Sequence, residues 1–194
     1  MFGQAALGNC YRDGIGVKRN MTEAVKWYRM SAEQGDADAQ YNLGICLLYG
    51  KGTAKNPKEA ADWFEKAARQ DKLDACYEIG RTYDRGNDRN RDIEKAAEWY
   101  QKGAEAGNVA CCSPMGYRYL QGDCNFVKKD VNKVLELFLH VIKTNPKGQW
   151  AYHGAGLAYL DREHDPADSQ KAAEMFRKAA YIGLSQSQHC FGKC

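Results

Sequence analysis

Six glycines recur along the chain at a nearly fixed interval: Gly8, Gly44, Gly80, Gly116, Gly156 and Gly192 lie 36, 36, 36, 40 and 36 residues apart. A second column keeps the same beat. Trp27, Trp63 and Trp99 are 36 apart, and Leu137 and Met175 continue the series in 38-residue steps. A period of this length belongs to a two-helix unit that cannot bury its own apolar face and must stack on its neighbours. The 194 residues therefore read as one all-α solenoid of five helix-turn-helix repeats, approximately 1–36, 37–72, 73–108, 109–148 and 149–184, with residues 185–194 opening a sixth.

Local chemistry marks the helix ends. Asn20, Asn56, Asp92, Asp130 and Asp168 all stand seven residues before the Trp column, where a side-chain oxygen can cap the second helix of each unit. Pro57 follows Asn56 at the first helical position, and Asn20 with Glu23 has the capping-box spacing. Eight residues past the column, Gly35, Asp71, Gly107, Asn145 and Gly183 are expected to close the helix in a left-handed conformation, Asp71 being the weakest of them. Ala24, Ala60, Ala96 and Ala172, with Ala67, Ala68, Ala179 and Ala180, supply small positions against which large ones interdigitate. In the first helices, Leu7/Tyr11, Leu43/Leu47, Ile79/Tyr83, Met115/Tyr119 and Ala155/Tyr159 flank the column glycine and should face the core. A glycine inside a helix costs about 1 kcal/mol relative to alanine, so its recurrence predicts a close approach of two helices.

The fourth unit departs from the pattern. It carries two extra residues before Asp130 and two more before Gly156, and it puts Val134, Val141 and Ile142 where the other units have Ala. A local change of superhelical curvature is expected near residues 122–149.

Composition excludes some functions. The net charge of +3 comes from Lys and Arg spread along the chain, without the basic block that nucleic acid would require. No apolar run approaches the roughly 20 residues of a membrane helix, so membrane insertion is not expected. The first repeat opens almost at Met1 with no signal-like leader, and the last ends soon after Gly192 without a covering helix. The chain is expected to be a piece of something longer, or to end against a partner.

The string Ala39-Gln40-Tyr41-Asn42-Leu43-Gly44 with Gly50-Lys51-Gly52, followed by Lys58-Glu59-Ala60-Ala61-Asp62-Trp63-Phe64-Glu65-Lys66-Ala67-Ala68, resembles the Sel-one-like repeat, a relative of the tetratricopeptide repeat. Ala104 and Gly107 after Glu98-Trp99-Tyr100 fit the same pattern. The resemblance covers nearly the whole chain. It implies a right-handed superhelix and an adaptor role of the kind seen in membrane-associated degradation, cell-wall synthesis control, bacterial signalling and host contact, with no single partner implied. The loop glycine pair is intact as Gly14/Gly16 and Gly50/Gly52, reduced to Gly86 and Gly122 in the next two units, and replaced by Arg162 and His164 in the fifth. A cysteine-rich branch of the family ties adjoining hairpins by disulfides. Here Cys76 and Cys112 would each be one half of such a bond, but Ala68 and Ala104 stand where the mates would be.

Eight cysteines invite a disulfide framework, yet Cys10 and Cys46 occupy equivalent positions one repeat apart, on the order of 9–10 Å for packed helices. A disulfide needs Cα atoms within about 7 Å. Mostly free thiols are expected, which fits a reducing intracellular compartment, and Cys111, Cys112 and Cys124 are the place where a bond could still form. His189, Cys190 and Cys194 have the spacing of possible zinc ligands, but packing residues are the reading preferred, with no metal and no cofactor. None of His140, His153, His164 or His189 is tied to a cysteine by a catalytic motif, and no Ser-x-x-Lys set accompanies the family's link to β-lactam chemistry. A cysteine-dependent or β-lactam hydrolase is thus a remote alternative, and no enzyme is expected.

In a stack of this kind the first helices line the concave side. Their outward stripe is expected to hold Asn42, Ile45 and Tyr49, then Glu78, Arg81 and Arg85, then Pro114, Tyr117 and Gln121, with Asn9, Asp13, Leu157 and Asp161 extending it. Arg and Tyr make forked contacts to carboxylates and broad aromatic contacts. The leading expectation is a non-enzymatic adaptor gripping a peptide or helical segment of another protein, with Tyr49, Arg81, Arg85 and Tyr117 as anchors. The alternative is a self-associating module that uses Cys190, Phe191 and Cys194 at its open C-terminal end.

Overall fold

The computed structural model describes residues 2–85, 92–122, 128–162 and 166–183, and all regular structure among them is α-helical. The helices are α1 (Phe2–Asp13), α2 (Met21–Glu33), α3 (Ala37–Tyr49), α4 (Pro57–Ala68), α5 (Leu73–Asp84), α6 (Ile93–Glu105), α7 (Val109–Gln121), α8 (Val131–Thr144), α9 (Gln149–Asp161) and α10 (Pro166–Ile182). They fall into two compact units, Met1–Asp92 with α1 to α5 and Ile93–Cys194 with α6 to α10. Within each unit every helix packs on the next, and in the second unit α7 also touches α9.

Side-chain caps mark the starts of α2, α4 and α8. Asn20 accepts from the backbone N–H groups of Thr22 and Glu23, Asn56 from Glu59, and Asp130 from Lys133. The capping residue is itself anchored. Its own N–H donates back to a carbonyl of the preceding helix: Asn20 to Tyr11 at 2.8 Å, Asn56 to Leu47 at 2.9 Å and Asp130 to Tyr119 at 3.1 Å; Asp92, in the same register, donates to Tyr83 at 3.1 Å. The two extra residues before Asp130 leave this bond in place, so they are taken up between its ends.

Two boundaries differ from expectation. Asp168 is not a cap, because α10 begins two residues earlier at Pro166, whose fixed φ and missing N–H suit a first helical position. The Asp168 carboxylate instead sits buried in the first turn, 2.9 Å from Lys171 Nζ and 3.7 Å from Arg162 Nη1. At the other ends, Gly35, Asp71, Gly107 and Gly183 are left-handed, and Asn145 is not, with φ −132°. The longer connection there lets the chain leave α8 extended, and the Asn145 side chain accepts from the Lys147 N–H at 3.3 Å.

The core belongs to the residue after the Trp column. Tyr28, Phe64, Phe138 and Phe176 are wholly buried and Tyr100 nearly so, whereas Trp27 and Trp99 keep partial exposure. These rings explain the glycines. A Cβ added at Gly8 would lie 2.7 Å from the Tyr28 ring, at Gly44 2.6 Å from Phe64, at Gly116 2.8 Å from Phe138 and at Gly156 2.7 Å from Phe176. The expected close approach is therefore that of an aromatic ring to a helix backbone. In the fourth repeat Val134 and Val141 are buried in the alanine slots, and Gly154 of α9 makes further room for Phe138. Residues 123–127, where the change of curvature was expected to begin, lie outside the described residues, as do Gly86 and His164.

Candidate functional site

In the first unit, the ends of α1 and α3 and the loops that follow them line an open cavity of about 720 Å³. Its wall from α3 is Tyr41, Asn42, Ile45 and Cys46, and Arg12 and Asp13 come from α1. Met21 and Tyr28 of α2 also line it, and Arg19 and Lys51 stand at the loops. Gly50 and Gly52, both left-handed, set the path of the loop that carries Lys51, and Gly52 lies so close to the Met21 carbonyl that no Cβ would fit.

The polar groups of this cavity are ordered by one another. The Tyr28 hydroxyl donates to Asn9 Oδ1 at 2.7 Å, and burial pushes the Tyr28 phenol up to about 12. Arg12 forks onto Asp13, with Nε to Oδ1 at 2.9 Å and Nη2 to Oδ2 at 2.7 Å, which raises the guanidinium and holds the carboxyl below its usual range. Burial drives the Cys46 thiol upward, away from the thiolate form a nucleophile needs. Cys10 and Cys112 are also free thiols, and Cys112 donates to the Asn108 carbonyl at 3.5 Å.

Beside it, α5 contributes a tighter cluster. Arg81 Nη2 donates to Glu78 Oε2 at 2.5 Å and to the Tyr49 hydroxyl, and its guanidinium lies 5.4 Å from the Tyr49 ring centre and 5.8 Å from that of Tyr77. Glu78 is 8% exposed. Burial raises its carboxyl above the usual value, and the Arg81 charge only partly offsets this. Burial also pushes the neighbouring Tyr41 phenol up to about 12, with the Glu78 charge adding to the effect.

The residues of the expected stripe thus take different places. Asn42 and Ile45 line the cavity, and Tyr49 (47% exposed) and Arg85 face solvent. Arg81 was expected as an open fork. It is instead engaged by the buried Glu78 carboxylate at 2.5 Å and by the Tyr49 hydroxyl of the preceding repeat. In the second unit, Tyr117 packs edge-on against Phe138 at 5.2 Å and donates to the Trp150 carbonyl at 3.3 Å, burial taking its phenol to about 12. Asp161 pairs with Lys129 at 2.7 Å, and Gln121 is exposed. The stripe reading missed Arg12, Arg19, Met21, Tyr28, Tyr41 and Lys51. The paired loop glycines around Lys51 were the available signal.

Among the described residues no three His, Cys, Asp or Glu side chains converge as a metal site would, and no helix is long and apolar enough to cross a membrane. Cys124, His189, Cys190, Phe191 and Cys194 lie outside the described residues.

Five segments, residues 2–36, 37–72, 73–108, 111–139 and 151–184, match the Sel1 repeat model. The chain belongs to the Sel1 repeat family. The matched segment is shortest in the fourth Sel1 repeat, the irregular one. Sel1 and tetratricopeptide-like repeats generally mediate protein–protein interaction, and the fold is typically a non-enzymatic scaffold. Among solved structures, a protective antigen of uropathogenic Escherichia coli with an SLR fold is similar at a TM-score of 0.84 and 28% identity, over 99% of this chain and 40% of the antigen. A Sel1 repeat protein from Oxalobacter formigenes gives 0.75 and 34%, over 95% of this chain and 74% of that one. YrrB, a tetratricopeptide protein with an unusual peptide-binding site, shares the fold at 0.60 and 22% identity, over 96% of this chain and 89% of its own. A 37-residue stretch is 54% identical to the rat (Rattus norvegicus) DAP3-binding cell death enhancer 1, covering 19% of this chain and 7% of that protein. The chain therefore spans less than half the length of both the antigen and the rat protein.

Proposed function

We propose that this chain is a non-enzymatic scaffold whose first unit holds an extended or helical segment of a partner protein against α1, α3 and α5. The observation that carries this reading is the cavity at the ends of α1 and α3, lined by Asn42 and Ile45 of the outward stripe. Tyr49 and Arg85 are exposed at the ends of α3 and α5 and supply contact surface, while Arg81, held by Glu78 and Tyr49, shapes the site without offering an open fork. Arg81 in this role acts by stiffening the Tyr49 ring.

A photo-crosslinking residue placed at Asn42 should capture peptides selected from a random display library, and the same residue at the exposed Lys26 of α2 should not. Equal capture at both positions would remove the groove reading. A second reading, self-association, is favoured by Tyr181 and Ile182, which are exposed at the end of α10. Sedimentation over a concentration range separates the two, because a groove binder stays monomeric when alone.

A further inference from the structure

The lining of the cavity is chemically lopsided. Three cationic side chains, Arg12, Arg19 and Lys51, face a single carboxylate, Asp13, and that carboxylate is already taken by Arg12 in a two-bond fork. Arg19 and Lys51 are both exposed; the Arg19 charge also acts on Asp13 and Lys51 Nζ lies 5.2 Å from the Tyr49 ring centre, but one carboxylate cannot balance three cations, so the lining stays positive. The same lining holds an apolar part, Met21, Ile45 and the Cys46 thiol, which burial keeps protonated. Tyr41 and Tyr28 stay neutral phenols in this setting. No group in the lining offers a second negative charge.

We propose that this cavity is selective for an acidic segment of a partner protein, with a carboxylate side chain seated between Arg19 and Lys51 and an adjacent large aliphatic side chain on Met21 and Ile45. This rests on the groove reading above and gives it a chemistry. Electrostatic complementarity of this kind acts on partner choice, since a basic segment would place like charges together and a neutral one would leave both cations unanswered. The apolar wall supplies the area-dependent part of the affinity, and neither element suffices by itself.

The test uses the whole chain and three acetylated, amidated heptapeptides: alternating Glu and Leu between terminal glycines, the twin with Gln for every Glu, and the twin with Ala for every Leu. Affinity is read by fluorescence polarisation at two salt concentrations. The Glu/Leu peptide should bind, weaken with salt, and bind at least about tenfold tighter than either twin, the size expected for losing charge-assisted contacts or an aliphatic anchor. The double variant Arg19→Gln, Lys51→Gln should reduce the Glu/Leu peptide to the level of the Gln twin while keeping the melting temperature, both residues being exposed. Equal affinity for the Glu and Gln peptides, or an unaffected double variant, overturns the acidic selectivity. If Ile45→Ser then weakens both peptides alike, the groove reading itself stands. Binding of no peptide overturns both, and tighter binding of a thymidine dodecamer than of the Glu/Leu peptide overturns the assignment to protein.

Discussion

At the residue scale, the glycine column shows two principles in conflict. Alanine is the better helix former by about 1 kcal/mol, so propensity alone favours Gly44→Ala. Packing reverses the sign. The new Cβ would lie 2.6 Å from the ring of Phe64, which is wholly buried and cannot step aside, and overpacking of this kind costs about 1–3 kcal/mol. Gly44→Ala should therefore lower the melting temperature by several degrees. Adding Phe64→Leu should recover part of the loss, because the smaller side chain frees the space. Gly3→Ala is the control: nothing lies within 4 Å of its Cβ, and the melting temperature should stay level or rise. A fall at Gly3 as large as that at Gly44 would mean that the aromatic contact is not the reason for the column.

At the scale of the element, helix starts separate into two chemistries that look alike in the sequence. Asn56 caps α4 by accepting from the Glu59 N–H at 3.2 Å, so Asn56→Ala should cost about 1 kcal/mol in thermal or denaturant unfolding. Asp130 caps α8 in the same way, and Asp130→Asn should be nearly neutral because either side chain can accept the bond. Asp168 shares the register but holds Lys171 and Arg162 from within the first turn, so Asp168→Asn should destabilise by about 1 kcal/mol where its counterpart does not. The caps at Asn20, Asn56 and Asp130 were legible because capping is settled within three residues. Asp168 was not, since Pro166 rather than the aspartate decides where α10 begins. The aromatic core was half legible: the beat was visible in the Trp column, but the deeper position, one residue later, is fixed by packing against a helix some 20 residues away. The same limit applies to the site. Asn42 and Ile45 could be placed by periodicity, whereas the tie of Arg81 to Tyr49 spans 32 residues and the cavity joins residues from Arg12 to Lys51.

At the scale of the whole molecule, His153 and Glu59 respond to acid in different windows. His153 of α9 is buried, its ring 5.6 Å from that of Phe176, and burial lowers its affinity for a proton below the ordinary value of 6.5. The unfolded chain then binds the proton first, so stability is full above about pH 6.5 and declines as the pH falls below it. Glu59 behaves differently. Burial pushes its carboxyl upward, but the bonds from Arg29 at 2.9 Å, Trp63 at 3.3 Å and Asn56 at 3.1 Å outweigh this and hold it below 4.5. Its contribution persists above that value and is lost only as the pH drops through the lowered one. Lowering the pH from about 7.5 to about 5.5 should therefore reduce the melting temperature through His153 while Glu59 remains ionised. The variant His153→Gln should flatten the dependence over that interval, and Glu59→Gln should leave it unchanged. A slope that survives His153→Gln would place the acid sensitivity in a group other than His153, and one abolished by Glu59→Gln would mean that the carboxylate is not held as its three donors require.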